Sequence, residues 1–429
     1  MTESRTAEIR RLARSDEERS RSLLAALLRD LFGLTVENVR FNHDQYSLNS
    51  LNGFFDADGK AYFFKFHQEE GEEEMSGEYY RADILAKAGL PVDQPVHMSV
   101  QPGEQILIYR RRTDPRFSDV LRALDLAPDP SGETLAFDAE RGLSVRLLDV
   151  MRETLHPVAP EAVAEEPIHR LFYERLIDPR SQALPGGRYE SFYIGQTFRF
   201  PGVTLEWDDF SRRRFVVNGR RYKRSVGELF EAAAARLNPR RLADAGGVTA
   251  HGDAHNANVW YSLQDGRPEL SFFDPAFAGR DVPSLLAEVK STFHNIFAHP
   301  LWLYDPGEAS KRYSAVARLE PGLLIIDSDW DLTSVRRGLL KVKAETLWRP
   351  FLAELKSKGL LPADWRDVIR LALFLCPTLV MNLRAKATSH TEISSAIGFS
   401  VAVMVGSEPE EGEDHVSAFL DAIDPDQPQ

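Results

Sequence analysis

The segment at residues 248–281 constrains the fold more than any other part of this chain. It reads VTAHGDAHNANVWYSLQDGRPELSFFDPAFAGRD. An apolar approach leads into Asp253, and a loop then carries Asn258 to the start of the run NVWYSL. A turn at Asp265-Gly266 returns through ELSFF to Asp274, because Asp-Gly between two β-rich runs is typical of a hairpin. The spacing predicts that a carboxylate, an amide and a second carboxylate gather at the loop ends of a small sheet.

This set of side chains suits phosphoryl transfer. The transferred group carries its charge on oxygens, so catalysis is mostly positioning and electrostatic stabilisation, with one carboxylate aligning the attacking hydroxyl. Magnesium prefers hard oxygen ligands, and an Asn carbonyl with an Asp carboxylate supplies them while leaving positions for phosphates and water. The residues therefore favour a magnesium-dependent phosphotransferase.

The two ends of this segment resemble a known family. HGDAHNAN at residues 251–258 is similar to the HGDLHPGN loop of the aminoglycoside phosphotransferase and choline kinase-like family, and FFDPAFAG resembles that family's second motif. The resemblance implies an α+β, two-lobed protein kinase-like fold, with a small antiparallel-sheet N-terminal lobe and a larger, mainly helical C-terminal lobe. It also implies that ATP is the phosphoryl donor. Asp253 would be the catalytic base or hydroxyl-positioning residue, and Asn258 and Asp274 would bind Mg²⁺.

The same region departs from the family pattern at three positions. Asn256 stands where Pro is usual, Ala257 where Gly is usual, and Ser284 near where an Asp often follows the second motif. Ala257 indicates that the loop needs no positive φ there, and Ser284 puts a supporting hydrogen bond in question rather than the chemistry. By the resemblance, His251 would brace the loop from behind and His255 would match the family's second histidine.

A kinase-like site also needs a lysine on a central strand and a helix glutamate that holds it. Lys65 lies in the run AYFFKFH, flanked by aromatic residues. Glu78 is the predicted partner, because EYYRADILAKAGLPV resembles the family's glutamate-led helix, with Gly89 and Pro91 in register at its exit. Glu74, one helical turn earlier, is the competing candidate.

Further nucleotide contacts are predicted around these elements. The hinge that receives adenine would follow the run EQILIYR, with Ile108 and Arg110 as candidates acting through backbone groups. The segment DQYSLNSLNG should cover the phosphates, and Ser47, Asn49 and Ser50 are the candidates there.

Patterns along the chain predict two units, residues 1–111 and residues 112–429. Apolar positions at helical spacing over residues 5–32 predict one or two amphipathic helices, and residues 36–112 follow the order strand, hairpin, helix, strand. Four helical segments are predicted after the motif region, near residues 282–298, 308–319, 328–357 and 362–386.

The stretch between the hinge and the HGD motif carries no recognisable motif, but it has one clear turn signal. Val203–Tyr222 is typical of a hairpin that turns at Asn218-Gly219 and could shape or cover the acceptor site. An aminoglycoside-like compound, a sugar, an amino alcohol and a nucleoside are all compatible with the family as hydroxyl acceptors.

Composition limits the partners. The formal net charge of −13 repels a phosphate backbone, so nucleic acid is not an expected partner. Cys376 is the single cysteine, which rules out an intrachain disulfide and gives no indication of an oxidising compartment. No run of about 18 apolar residues appears, so we expect a cytoplasmic protein without a membrane partner. The oligomeric state is left open.

Two other functions remain open from the sequence. His251, Asp253 and His255 form an H-x-D-x-H pattern, which is a spacing that gathers zinc or paired metals in hydrolases. That interpretation leaves the pattern of Lys65 and Glu78 unexplained. A catalytically silent kinase-like module that only binds nucleotide is the second alternative.

Overall fold

The computed structural model describes residues 4–42, 51–66, 81–99 and 101–427. The chain divides into two compact units. The first comprises Met1–Asp83 with Val92–Asp114, and the second comprises Ile84–Pro91 with Pro115–Gln429. The predicted division lay after residue 111.

The first unit contains a five-stranded antiparallel sheet in the order β1-β2-β3-β5-β4, with two helices ahead of it in the chain. Its elements are α1 (Arg5–Ser15), α2 (Glu17–Phe32), β1 (Val36–Phe41), β2 (Asn52–Ala57), β3 (Lys60–Lys65), β4 (His97–Ser99) and β5 (Ile106–Arg110), and a short helix, α3 (Ala82–Lys87), crosses the division between the units.

Local signals in the sequence explain where these elements begin and end. Asp16 accepts a hydrogen bond from a backbone N–H at the start of α2, and Gly33 ends that helix with a φ of 69°. Asp58 and Gly59 have φ values of 50° and 67°, as a tight hairpin turn between β2 and β3 requires. The helices predicted over residues 5–32 and this hairpin are therefore confirmed.

The core of the first unit lies between the two leading helices and the sheet. Leu24, Leu27 and Leu28 of α2 are fully buried, and they belong to the same apolar cluster as Phe55 and Phe64 of the sheet. Each such side chain contributes about 1.5–3 kcal/mol when it leaves water. The unit therefore builds its own core from α1, α2 and the strands.

The second unit is mainly helical. Its helices are α4 (Phe117–Leu126), α5 (Pro130–Thr154), α6 (Pro160–Ala164), α7 (Gly187–Tyr193), α8 (Trp207–Phe210), α9 (Val226–Arg236), α10 (Val289–Thr292), α11 (Pro306–Arg312), α12 (Ser334–Lys343), α13 (Arg349–Ser357), α14 (Trp365–Val380), α15 (Glu392–Gly406) and α16 (His415–Ile423). Short stretches of 3₁₀ or π helix occur at Pro167–Leu171, Tyr173–Arg175, Pro239–Ala245, Asn256–Asn258, Phe293–Phe297 and Ala344–Trp348.

Its strands form small sheets between the helices. They are β6 (Thr197–Phe200), β7 (Val203–Glu206), β8 (Arg214–Val217), β9 (Arg220–Arg221), β10 (Gly247–Ala250), β11 (Val259–Gln264), β12 (Arg267–Phe272), β13 (Gly279–Pro283), β14 (Ala315–Glu320) and β15 (Leu323–Ser328). The pairs β6-β7, β10-β13 and β11-β12 are antiparallel, and a mixed sheet has the order β14-β15-β8-β9. The predicted combination of an antiparallel-sheet unit and a larger, mainly helical unit is confirmed.

The hairpin predicted over Val203–Tyr222 is only partly right. Its turn lies at Asn218-Gly219, where φ is 47° and 81°. The first predicted strand, however, belongs to another hairpin, in which Val203–Glu206 pairs with Thr197–Phe200. Gly202, with a φ of 82°, lies in the turn of that other hairpin, and α8 separates Val203–Glu206 from β8 and β9.

The helix predicted near residues 308–319 is wrong beyond Arg312. Helix α11 ends there, and Ala315–Glu320 forms strand β14, which pairs with β15. The cause is the turn that follows, because Pro321-Gly322, with Gly322 at a φ of 72°, favours a type II turn between two extended runs.

Helices of the second unit pack against the strands of the motif region. Helix α5 packs against β10 and β12, α4 against β11, and α6 against β13. Helices α14 and α15 pack together and are buried along almost their whole lengths. Among the described residues, no helix combines the length and the apolar character needed to cross a membrane.

Candidate active site

Two short ladders bring the two motif loops side by side. We call residues 251–258 the HGD loop and residues 273–278 the Asp274 loop. The HGD loop runs from β10 to β11, and the Asp274 loop runs from β12 to β13. Because β10 pairs with β13 and β11 pairs with β12, both loops begin and end on paired strands. The residue pairs next to the loops are Ala250↔Gly279 and Val259↔Phe272.

Three contacts fasten these loops together. The ring Nε2–H of His251 donates to the carbonyl of Phe273 at 3.1 Å. The backbone N–H of Phe273 donates to the carbonyl of Asn258 at 3.0 Å. Gly252 has a φ of 77°, and a Cβ on it would lie 2.4 Å from the carbonyl oxygen of Phe277. Only glycine fits this close approach without strain.

His251 braces the HGD loop through both ring nitrogens. Besides the bond to Phe273, its Nδ1 accepts the backbone N–H of Asp253 at 3.3 Å. Burial lowers the pKa of His251, so the ring is neutral at pH 7 with its proton on Nε2. These two contacts support the HGD loop, as predicted for His251.

Asp253 lies in a buried, charged setting. Its side chain is 14% exposed, and the ammonium of Lys290 lies 3.2 Å from Oδ1. Nε2 of His255 lies 3.8 Å from Oδ2. Burial is the largest single influence on the pKa of Asp253 and raises it, but Lys290, together with His255 and His251, outweighs burial and holds that pKa below its usual range. Burial also lowers the pKa of His255, which leaves Lys290 as the cation beside the carboxylate at pH 7.

The sequence analysis did not identify Lys290. It lies on α10 and is 4% exposed. A signal was present, because a lysine inside the run LLAEVKSTF is costly to bury without an anionic partner. Nothing in the local sequence, however, names Asp253 as that partner.

The asparagine that replaces proline in the HGD loop has a contact that proline could not make. The backbone N–H of Asn256 donates to Oδ1 of Asn295 at 2.7 Å. The carbonyl of Asn295 in turn accepts from Arg336, whose guanidinium is paired with Asp125 at 2.6 Å in full burial. Ala257 lies inside a 3₁₀ turn, so it needs no positive φ, as predicted.

Ser284 also has a defined contact. Its hydroxyl is fully buried and donates to the carbonyl of Ala245 at 2.7 Å. Because Ser284 follows β13 and Ala245 precedes β10, this bond joins the far ends of the two paired strands. It therefore supports the strands that carry the loops.

Asn258 and Asp274 have the chemistry that a magnesium ion requires. The Nδ2 group of Asn258 donates to the carbonyl of Asp253 at 3.1 Å, and no described residue donates a hydrogen bond to its Oδ1. Asp274 has a φ of 54°, an unusual backbone conformation that is enriched at functional sites. An amide oxygen and a carboxylate are hard ligands that fit Mg²⁺, and the metal roles of both residues stay predictions.

The predicted nucleotide-contacting lysine lies in the first unit. Lys65 is the last residue of β3 and is partly buried, whereas its sequence neighbours Phe64 and Phe66 are fully buried. Its contact with phosphates stays a prediction.

The hinge candidates lie on β5. Ile108 is fully buried in the core of the first unit, and its carbonyl accepts the N–H of Val96 at 2.7 Å. The guanidinium of Arg110 lies over the ring of Tyr62, 4.6 Å from its centre. Their roles in adenine binding stay predictions. The remaining candidates fall outside the described residues, namely Ser47, Asn49, Ser50, Glu74 and Glu78.

Comparisons with known proteins complete the description of the site. Protein-family models give no match, and neither do curated proteins. Among solved structures, the chain is similar to a spectinomycin phosphotransferase in complex with ADP and spectinomycin, at 13% identity and a TM-score of 0.39, over 89% of this chain and 98% of that one. It is similar to a thermostable mutant of an aminoglycoside phosphotransferase at 12% identity and a TM-score of 0.44, over 88% and 97%.

A third similar structure is a macrolide 2′-phosphotransferase from Brachybacterium faecium, at 15% identity and a TM-score of 0.39, over 91% of this chain and 99% of that one. These three proteins are named as phosphotransferases, the class that the sequence resemblance implies. Because the identities and TM-scores are low, the function is inferred below from the side chains of the site.

Proposed function

We propose that this chain is an ATP-dependent phosphotransferase that moves the γ-phosphoryl group to a hydroxyl of a small molecule. The observation that carries the proposal is the fastening of the HGD loop to the Asp274 loop. It keeps Asp253, Asn258 and Asp274 on adjacent, braced loops, which is the arrangement of oxygen-bearing groups that phosphoryl transfer needs.

Asp253 is the proposed partner of the acceptor hydroxyl. In the reaction the hydroxyl oxygen bonds to the γ-phosphorus, and the bond from that phosphorus to the β–γ bridging oxygen breaks. ADP leaves with the bonding electrons, and the hydroxyl proton reaches solvent by way of Asp253. A carboxylate that stays ionised at neutral pH suits this aligning role, and the low pKa of Asp253 keeps it ionised.

Asn258 and Asp274 are the proposed Mg²⁺ ligands. When bound, the ion would neutralise charge on the phosphate oxygens of ATP. Lys65, with Glu78 or Glu74 as its partner, is proposed as a phosphate contact on the sequence resemblance alone. The proposed acceptors are the classes that resemblance admits: aminoglycoside-like compounds, sugars, amino alcohols and nucleosides.

The contacts of His251 argue against the H-x-D-x-H hydrolase. One ring nitrogen donates to Phe273 and the other accepts from Asp253, so neither is free to bind zinc. In the part of the chain that the structure describes, no group of three or more His, Cys, Asp or Glu side chains is placed to hold a metal. The silent nucleotide-binding module is the alternative that experiment must separate.

ADP release from MgATP tests the proposal, with one aminoglycoside, one hexose, one amino alcohol and one nucleoside as acceptors. Asp253→Ala should lower turnover about 100-fold or more while ATP binding stays nearly intact. Asp138→Ala, at an exposed aspartate of α5, is the matched control and should turn over normally. Full turnover by Asp253→Ala would show that its role is misassigned.

A second variant separates the enzyme from the silent module. Asp274→Ala should abolish turnover and remove the Mg²⁺ dependence of nucleotide binding, measured by thermal shift with ADP. A silent module would instead be stabilised by nucleotide in the unaltered chain and release no ADP with any acceptor.

A further inference from the structure

The position of Lys290 differs from that of an ordinary buried lysine. Its side chain is 5% exposed, and Asp253 is the only carboxylate within ion-pair distance among the described residues. Burying an ammonium costs several kcal/mol unless anionic and hydrogen-bonding partners replace water. Lys290 therefore depends on Asp253 to offset the cost of burying its ammonium group.

Lys343 shows what a structurally satisfied buried lysine looks like in the same unit. Its ammonium lies 3.1 Å from Glu140 and 3.0 Å from Glu288, and it also donates to Ser291 at 3.3 Å. Two carboxylates and a hydroxyl thus share one cation. Lys290 lacks such a set, so its electrostatic effect is concentrated on a single carboxylate.

The two oxygens of Asp253 are consequently unequal. Oδ1 is buried, receives no well-aligned hydrogen bond from a described residue, and has the Lys290 ammonium beside it. Oδ2 lies 3.8 Å from Nε2 of His255. The cation therefore fixes one oxygen and leaves the other to meet an acceptor.

We propose that Lys290 is a positioning residue of the active site, which holds the Asp253 carboxylate through Oδ1 so that Oδ2 faces the acceptor hydroxyl. This inference rests on the proposed function. Lys290 acts through Asp253 and has no separate role in nucleotide binding. Without it, the carboxylate loses the one charge that fixes its orientation, and a misplacement of about 1 Å can lower a rate about 100-fold.

A double-mutant cycle tests this role. The assay is ADP release from MgATP, with water or the best acceptor of the panel receiving the phosphoryl group. Lys290→Met should lower kcat roughly 10- to 100-fold with the KM for ATP within about threefold of the unaltered chain. Lys290→Arg, which keeps the charge, should recover part of that loss. In an Asp253→Asn background, Lys290→Met should change kcat less than about twofold, because the carboxylate through which it acts is absent.

Lys343→Met is the control for a merely structural effect of losing a buried lysine. It should lower thermal stability, yet below its unfolding transition its kcat should match the unaltered chain. If Lys290→Met folds poorly, the double variant Asp253→Asn/Lys290→Met should melt above it, because the double variant leaves no unpaired buried charge.

The outcomes separate the two proposals. Normal kcat in Lys290→Met, or an equal loss of kcat with and without the Asp253 carboxylate, would overturn the positioning role while leaving phosphoryl transfer in place. No ADP release from the unaltered chain would overturn the proposed function. The melting temperatures of the double variant and the single variants would then decide whether the ion pair exists, and a double variant no more stable than Lys290→Met would refute it.

Discussion

Replacing Gly252 by alanine should disturb the proposed active site through one added carbon atom. The residue has a φ of 77°, and its new Cβ would lie 2.4 Å from the carbonyl oxygen of Phe277, whereas ordinary contacts of a Cβ begin near 3.4 Å. Both the backbone conformation and the space oppose the methyl group. Because Phe277 belongs to the Asp274 loop, the two loops must move apart to admit it.

The expected magnitude has two parts. Alanine in the left-handed region costs about 1–2 kcal/mol. Relieving the contact requires a shift of about 1 Å between the HGD loop and the Asp274 loop, and misplacement on that scale lowers a rate about 100-fold. Gly252→Ala should therefore be modestly destabilised and at least about 100-fold slower.

Gly266 provides a matched control. It has a φ of 78°, nearly the value at Gly252, but an added Cβ there meets nothing within 4 Å. Gly266→Ala therefore carries the backbone strain without the displacement of the loops. It should lose about 1–2 kcal/mol of unfolding free energy and keep its turnover.

Urea unfolding and ADP release from MgATP measure the two effects on the same preparations. The difference between the variants isolates the contact with Phe277. Equal stability losses together with normal turnover in Gly252→Ala would refute the packing of the two loops described here.

Three further variants test contacts within the second unit. Asn256→Pro removes the N–H that donates to Asn295 and should cost about 1–3 kcal/mol in urea unfolding, whereas Asn256→Ala keeps that N–H and should not lose this contribution. Arg336→Met leaves Asp125 buried without its cation and should cost about 3–5 kcal/mol, and a second change, Asp125→Asn, should restore part of that loss. His169 is buried, which lowers its pKa to about 4 from 6.5, so its native form resists protonation. The unfolded chain binds that proton first as pH falls, so stability should drop by about 2 kcal/mol between pH 7 and pH 5 from this group alone. In His169→Gln, the unfolding free energy measured with urea should fall less between pH 7 and pH 5. An equal fall in the variant and the unaltered chain would show that His169 does not cause this pH dependence.

Short-range signals in the sequence predicted much of the fold. The turn at Asp265-Gly266 joins β11 and β12 as expected, with φ values of 51° and 78°. Ser225 begins α9 with a complete capping box, in which Glu228 returns the hydrogen bond. Such features depend on residues a few positions apart, so the sequence contains all the information they need.

The failures have two origins. The run that was predicted to continue α11 forms β14, which pairs with β15 across the turn at Pro321-Gly322, so a local turn signal was overlooked there. The ion pair of Lys290 with Asp253 was missed because the two residues belong to different elements, and local sequence does not show which distant residues meet.

The joining of the two loops was predicted only in outline, and the reason is chemical. All three contacts between the loops involve a backbone carbonyl, namely those of Phe273, Asn258 and Phe277. Every residue has a carbonyl, so these acceptors place no constraint on residue type. The constraint falls on the other side of the contact, where His251 must donate from a ring nitrogen and Gly252 must lack a Cβ. His251 and Gly252 of the HGD motif are therefore explained by the proximity of the backbone of the Asp274 loop, whereas Asp253 is explained by its proposed role in phosphoryl transfer.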